Sequence, residues 1–320
     1  MEEPFFSIII PVYNRPQELE ELLTSLLDQH YRRFEVIIVE DGSAISSEQV
    51  VDRFSKELNL KYFHQPNQGP GPARNYGFGQ ASGEYLISFD SDCIIPPDYL
   101  KSVLNFMTAN QVDAWGGPDA GHSSFTHLQR AMAFTMSAFL TTGGIRGGTE
   151  ALDHFQPRSF NMGISRKVFE VTGGFHFDRY AEDIELSIRI RKAGFSSWLI
   201  PGAFVYHKRR TSLGAFFKQV KNFGKGRIDV SRSHSGTLRL THWLPLLFTA
   251  GWIIGLTAGL FFKPLLFLTT AVYGIYFFML FLSSWNQTGS FVTAILTVPS
   301  ALTQLTGYAW GFLQALLSKA

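Results

Sequence analysis

The chain has 320 residues, with 28 Lys and Arg against 26 Asp and Glu, a formal net charge of +2. That length suits one large domain plus something smaller, and so small a net charge points to no class of partner by itself. The single cysteine, Cys93, excludes an internal disulfide and any metal site built from spaced cysteines, which fits a reducing compartment. Charge is spread through residues 1–239 and nearly vanishes from Leu244 to Leu317.

Glu2 and Glu3 stand where a secretory signal would carry basic residues, so the N-terminal part is expected to stay in the cytosol. Phe5–Val12 reads as a buried strand closed by Pro11-Val12-Tyr13-Asn14. Asn14 is expected to cap a helix that has Pro16 in its first turn and Leu19, Leu22, Leu23, Leu26 and Leu27 on one face. Phe34–Val39 is a second buried strand, ending in Glu40-Asp41-Gly42-Ser43. A helix from Ser46 or Ser47, a short edge strand at Lys61–Phe63, the loop Asn67–Pro72 and a helix over Ala73–Ala81 follow. The strand Glu84–Phe89 runs into Asp90-Ser91-Asp92, and a helix spans Pro97 to about Ala109. Strand alternating with helix implies a parallel sheet with crossovers, so the loops PVYN, EDGS and DSD meet at one sheet edge. That edge is where open α/β sheets bind ligands.

Beyond Trp115 the pattern changes. Ser123–Leu140 has the spacing of an amphipathic helix, Thr141–Gly148 is a glycine-rich loop, and Phe160–Ile164 is a strand. Ala181-Glu182-Asp183 opens a helix ending at Gly194, although spacings of two among Ile184, Leu186, Ile188 and Ile190 also fit a strand. Phe195–Ile200 and Ala203–Tyr206 read as strands, the second leading to His207. Between His207 and Arg239 stand nine Lys or Arg residues and one acid, Asp229. This basic block precedes three apolar stretches: 244–262 and 264–282, each about one bilayer long at roughly 20 residues per span, and 291–317, less purely apolar but uncharged. Positive residues beside spans face the cytoplasm and its anionic headgroups. The block lies beside apolar spans and matches no nucleic-acid-binding motif, so nucleic acid is not expected as a partner.

Asp90 and Asp92, two residues apart at a strand's carboxyl end, can share one hard cation, Mn2+ or Mg2+, which would neutralise a diphosphate. A lone pair of this kind is otherwise a solvated turn. Asp41 either caps the next helix or accepts the imide N–H of a uracil- or thymine-type base. Asp183 sits where the helix dipole favours acids in any case, and it could equally serve as a general base. Arg74 either contacts a donor or braces its loop. His207 is either a buried histidine or a metal ligand.

Together SIIIPVYNRPQEL, EVIIVEDGS, GPARNYGFGQASGEYLISFDSDC and the later AED resemble family 2 glycosyltransferases, in order, over roughly residues 5–230. The resemblance implies a GT-A fold, an α/β Rossmann-like arrangement whose mostly parallel sheet is flanked by helices. It implies a nucleotide-sugar donor, a divalent metal and an inverting mechanism. Pro11 and Tyr13 match the wall of the base pocket, and Asp41 the base-binding aspartate. Asp90 and Asp92 match the metal-and-diphosphate motif, Asp183 the catalytic base, and His207 a metal-coordinating histidine. Glu40 stands where an aspartate is usual. Gln219-Val220-Lys221-Asn222-Phe223 lacks the Arg and Trp of the processive Gln-x-x-Arg-Trp motif, which favours transfer of a single sugar over polymer synthesis. A non-catalytic scaffold is the remaining alternative.

The expected organisation is a cytosolic GT-A domain over 1–236, with a nucleotide-binding half at 1–115 and an acceptor half at 116–236. An α-helical membrane region of about three spans follows over 237–320. The expected partners are a nucleotide-sugar, a glycan or lipid-linked acceptor, and the membrane.

Overall fold

The computed structural model describes residues 3–120, 125–142 and 155–318. Its elements run β1 (Phe6–Val12), α1 (Pro16–Leu27), β2 (Phe34–Asp41), α2 (Glu48–Phe54), β3 (Leu60–Gln65), α3 (Pro70–Gln80), β4 (Tyr85–Phe89), β5 (Cys93–Ile94), α4 (Tyr99–Ala109), β6 (Ala114–Gly116) and β7 (Asp119–Ala120). Then come α5 (His127–Ser137), α6 (Phe139–Thr142), β8 (Asn161–Ser165), α7 (Arg166–Thr172), α8 (Glu182–Lys192), β9 (Ser197–Leu199) and β10 (Val205–His207). Four further α-helices close the chain: α9 (Leu213–Ser233), α10 (Leu244–Gly259), α11 (Lys263–Thr288) and α12 (Phe291–Leu317). The chain divides into two compact units, one of residues 1–122 and 149–208, the other of residues 123–148 and 209–320.

The first unit holds a sheet in the order β3-β2-β1-β4-β8-β6-β9. Strands β1 to β4 are mutually parallel, while β8 runs antiparallel to both of its neighbours. The apolar runs explain this placement. Along β1, Ile8 and Ile10 enter one core and Ile9 the other, and along β2, Val36 and Ile38 part from Ile37 and Val39 in the same way. A strand buried on both faces needs a helical layer on each side, and the βαβ crossovers supply it. The carboxyl ends of β1, β2 and β4 therefore share one edge, and the antiparallel β8 starts there, with Asn161 opposite Phe89.

A second sheet of three strands, β5-β10-β7, stands beside that edge. Its antiparallel β5–β10 pair sets Cys93 opposite His207. The expected strand at 203–206 is realised as Val205–His207, so His207 lies in the ladder itself.

One local expectation is corrected. Asn14 does not cap α1: the N-cap is Arg15, without a side-chain cap, and Pro16 opens the helix. Asn14 has a left-handed φ of 55°, and its Oδ1 accepts from the N–H of Ala44 and Ile45 instead. Asparagine tolerates that conformation, and here its side chain ties the loop after β1 to the loop after β2.

In the second unit α5 and α9 join through Met132, Met136, Phe216 and Val220. Helices α9 and α12 approach so closely that a Cβ on Gly311 would meet the Lys221 carbonyl oxygen at 1.8 Å, and one on Gly224 the Tyr308 carbonyl at 2.2 Å. The glycine-rich stretch expected at 141–148 lies outside the described residues from Gly143 onward, as do the first two residues of the 123–140 helix.

Among the described residues two helical segments, Leu240–Gly259 and Lys263–Thr288, are long and apolar enough to cross a membrane. Leu247, Ile253, Ile254, Phe267, Val272, Ile275 and Phe278 on them are exposed. The third expected span is a helix over the expected residues, but it is not one of these two. Thr293, Thr297, Ser300 and other polar residues lower its hydropathy, and those three are buried inside the unit. Thr297 Oγ1 is hydrogen-bonded to Ser284 Oγ at 2.7 Å. Two candidate spans thus replace the expected three.

Candidate active site

Asp92 and His207 are brought together by the β5–β10 pairing. His207 Nε2 lies 3.2 Å from Asp92 Oδ1, and its Nδ1 lies 4.0 Å from Asp119 Oδ2. The Phe160 ring stacks on the imidazole at 4.4 Å between centroids. Arg15 Nη1 binds the other oxygen of Asp92. Burial pushes the Asp92 carboxyl up, but His207 and Arg15 more than reverse this and hold it below the usual carboxylate range. Burial pulls His207 down, yet Asp92, Asp119 and Asp90 leave it above an ordinary histidine.

Two buried atoms here, Asp92 Oδ1 and His207 Nδ1, make no hydrogen bond. One ligand atom each from Asp92, Cys93 and His207 lies within 4.8 Å of the others. An orphaned carboxylate oxygen beside an imidazole fits a divalent cation, and the positive charge that Arg15 and His207 bring to Asp92 is the charge such an ion would bring.

Asp90 faces a different partner. Arg74, on α3, is fully buried, and its guanidinium reaches Asp90 Oδ1 at 2.5 Å and Glu182 Oε1 at 3.1 Å. The Phe175 ring lies 5.3 Å from the guanidinium carbon. Burial lowers the Arg74 pKa, and Asp90, Glu182 and Asp183 together raise it above the ordinary value. Glu182 also accepts from Ser159 Oγ at 3.0 Å. Burial and the neighbouring Asp183 push the Glu182 carboxyl up to about 7, against the pull of Arg74.

Asp183, the next residue of α8, lies 3.6 Å from Arg158 Nη1 through Oδ2 and accepts from the N–H of Ile184 through Oδ1. The helix opens on Ala181 at a φ of 58°. Ala181 and Asn14 are the two non-glycine residues at positive φ among the described residues, and both adjoin this site. Such strain, of order 1–3 kcal/mol for a residue like alanine, persists where the surroundings over-determine it. The segment leading into α8 is pinned to the first turn of α3: Gly71 N–H donates to the Asp178 carbonyl at 2.9 Å, and a Cβ on Gly71 would meet the Phe177 carbonyl at 2.1 Å.

Asp41 is buried at the end of β2. Its Oδ1 accepts from Gln65 Nε2 at 2.8 Å and Gln68 N–H at 2.9 Å, and its Oδ2 from Gly69 N–H at 2.9 Å. The carboxylate thereby shapes the 67–69 loop, and Oδ2 keeps room for a second donor. Glu40 is saturated by Ser43 Oγ, Ser47 N–H and Tyr62 Oη. Pro11 is half-buried and Tyr13 exposed at the end of β1. Sequence reasoning missed Arg15, Arg158, Ser159 and Cys93, whose partners lie tens of residues away in the chain.

The carboxyl edge of the mostly parallel sheet gathers Asp41, Asp90, Asp92 and the start of the Glu182–Asp183 helix, at the edge where open α/β sheets bind ligands. The family model described as glycosyl transferase family 2 matches residues 7–173, and the chain belongs to that family. An uncharacterized glycosyltransferase of Haemophilus influenzae is 40% identical over 114 residues, which are 35% of this chain and 46% of that one. The match thus spans less than half of that curated relative. Among solved structures, the mannosyltransferase PcManGT from Pyrobaculum calidifontis, in complex with GDP-Man and Mn2+, superposes with a TM-score of 0.63 at 18% identity, covering 100% of this chain and 89% of that one. Staphylococcus aureus TarS 1–349 in complex with UDP-GlcNAc gives a TM-score of 0.51 at 19% identity, over 79% of this chain and 81% of that one. The fold is GT-A, followed by a helical region with two candidate spans.

Proposed function

We propose that this chain is an inverting glycosyltransferase that moves a single sugar from a nucleotide-sugar, most simply a UDP-sugar, to a membrane-associated, lipid-linked glycan acceptor. The observation that carries the reading is the Arg74 bridge: one buried guanidinium holds Asp90 of the DSD motif and Glu182 beside Asp183. An acid read as donor-side and one beside the proposed base are thereby joined through a single side chain.

Asp41 Oδ2 would accept the base imide N–H, with Pro11 and Tyr13 as the pocket wall. Asp92, Asp90 and His207 would hold Mn2+ or Mg2+, which when bound supplies Lewis-acid neutralisation of the diphosphate. Asp183 takes the proton of the acceptor hydroxyl as its oxygen attacks the anomeric carbon, and the bond to the diphosphate breaks on the opposite face. One carboxylate suffices, and no covalent intermediate forms. Arg158 Nη1, 3.6 Å from Asp183 Oδ2, would help hold that carboxylate in place.

The domain plan proposed is the one read from the sequence, a catalytic part through residue 236 and a membrane part from 237. The basic residues of 208–239 would keep the catalytic part on the cytoplasmic side. Two spans return α12 to that same side. The mannosyltransferase neighbour was solved with GDP-Man and Mn2+ and TarS with UDP-GlcNAc, so the donor test includes both nucleotides.

The test is transfer from labelled UDP- and GDP-sugars to membrane extract, by wild type and Asp183→Asn. The reading expects one sugar added per acceptor, with donor binding kept and transfer lost in the variant. Long polymer products would favour a processive synthase. No donor binding at all would leave the scaffold.

A further inference from the structure

We propose that Cys93 is a further protein ligand, beside Asp92 and His207, at the proposed cation position, so that the site holds thiophilic divalent ions, Zn2+ and Co2+, in preference to Mg2+. This rests on the reading that Asp92 and His207 hold a cation. Cys93 and His207 are direct partners across the β5–β10 ladder, and Asp92 precedes Cys93 in the chain. One ligand atom of each falls within 4.8 Å of the other two. Zinc bonds of about 2.0–2.3 Å separate tetrahedral ligand atoms by roughly 3.3–3.8 Å, so a contraction of about 1 Å completes the set.

The contact given up is the 3.2 Å approach of His207 Nε2 to Asp92 Oδ1; the Cys93 thiol donates to the Phe160 carbonyl at 3.6 Å, and His207 Nδ1 makes no hydrogen bond. Phe160 stacks on His207 at an interplanar angle of 20° and fixes its ring plane. As the ion enters, the Sγ–H bond breaks, the proton leaves to solvent and an Sγ–metal bond forms, with no change of oxidation state. Oxygen ligands alone suit Mg2+; an imidazole nitrogen and a thiolate move the preference toward softer ions.

The experiment uses the full chain in detergent, stripped by chelator and titrated with Co2+, Zn2+ and Mn2+. Wild type is expected to develop the ultraviolet thiolate-to-cobalt charge-transfer band. Cys93→Ser and Cys93→Ala are expected to lose that band and at least about tenfold in Zn2+ affinity, while still binding Mn2+ by electron paramagnetic resonance. Circular dichroism and melting temperature verify that both variants fold. Co2+ bound to wild type without the band, or unchanged Zn2+ affinity in both folded variants, overturns the Cys93 assignment and leaves Asp92 and His207 as ligands. Failure of every ion to bind wild type overturns the underlying cation site as well.

Discussion

Replacing Glu182 by Gln removes a titratable group from the buried centre of the site while keeping its shape. The Glu182 carboxyl is raised from 4.5 to about 7, by burial first and Asp183 second, with Arg74 opposing. Between those two values the folded chain holds a proton that the unfolded chain has released. Stability therefore falls as pH rises through that window. The gap of about 2.5, at about 1.36 kcal/mol per pKa unit, makes the loss about 3 kcal/mol by pH 8. His207 is also raised above its ordinary value, so its contribution fades as pH climbs through its folded pKa, and wild type alone would mix the two. Subtracting the Glu182→Gln profile isolates Glu182, because His207 remains in both. The assay is thermal unfolding of the chelator-treated chain in detergent from pH 4.5 to pH 8. The wild-type curve should decline more steeply than that of the variant, with the difference concentrated between pH 5 and 7. Parallel curves would refute the assignment of a proton to this carboxyl.

Other outcomes follow from the same contacts. Asp183→Asn should lower turnover by about 10²–10⁴ with donor affinity unchanged, the span expected for one general base, measured as single-turnover transfer. Gly311→Leu should prevent α9 and α12 from closing, since a Cβ there already lies 1.8 Å from a backbone oxygen; the readout is a lower melting temperature and faster proteolysis of the second unit. Glu35, whose carboxyl Lys61, Ser7 and Ser82 hold down to about 2 against its burial, adds stability above pH 4.5 that is lost as pH falls toward 2. Glu35→Gln should flatten that acid limb in the same melting series.

Much of the first unit could be read from local pattern. Apolar runs such as Phe5–Val12 and Phe34–Val39 are long enough to demand burial on both faces, and that demand fixes strands, crossovers and a ligand edge. The acids at that edge follow because Asp41 and Asp90 terminate such runs. What stayed hidden depends on pairing over distance. Nothing near Cys93 announces that His207 lies opposite it, because the ladder joining them is two residues long and closes 114 residues later. Arg74 read as a donor contact or a loop brace, since its partners at 90 and 182 come together only when β4 and α8 meet. Arg15 sat inside a recognisable motif, yet its ion pair with Asp92 is a tertiary contact. The third apolar stretch read as a span because it carries no charge. Its Thr and Ser residues are spent on packing within the second unit, which hydropathy alone cannot distinguish from lipid contact.

The central proposition is that Asp92 and the side chains around it form a cation-dependent site for a nucleoside diphosphate. Isothermal titration of UDP and GDP into the full chain, with Mn2+ and with chelator, for wild type and Asp92→Ala, addresses it directly. One of the two nucleotides should bind wild type only when Mn2+ is present, and Asp92→Ala should abolish that binding while melting as a folded protein. Binding of equal strength with chelator, or in Asp92→Ala, would contradict it.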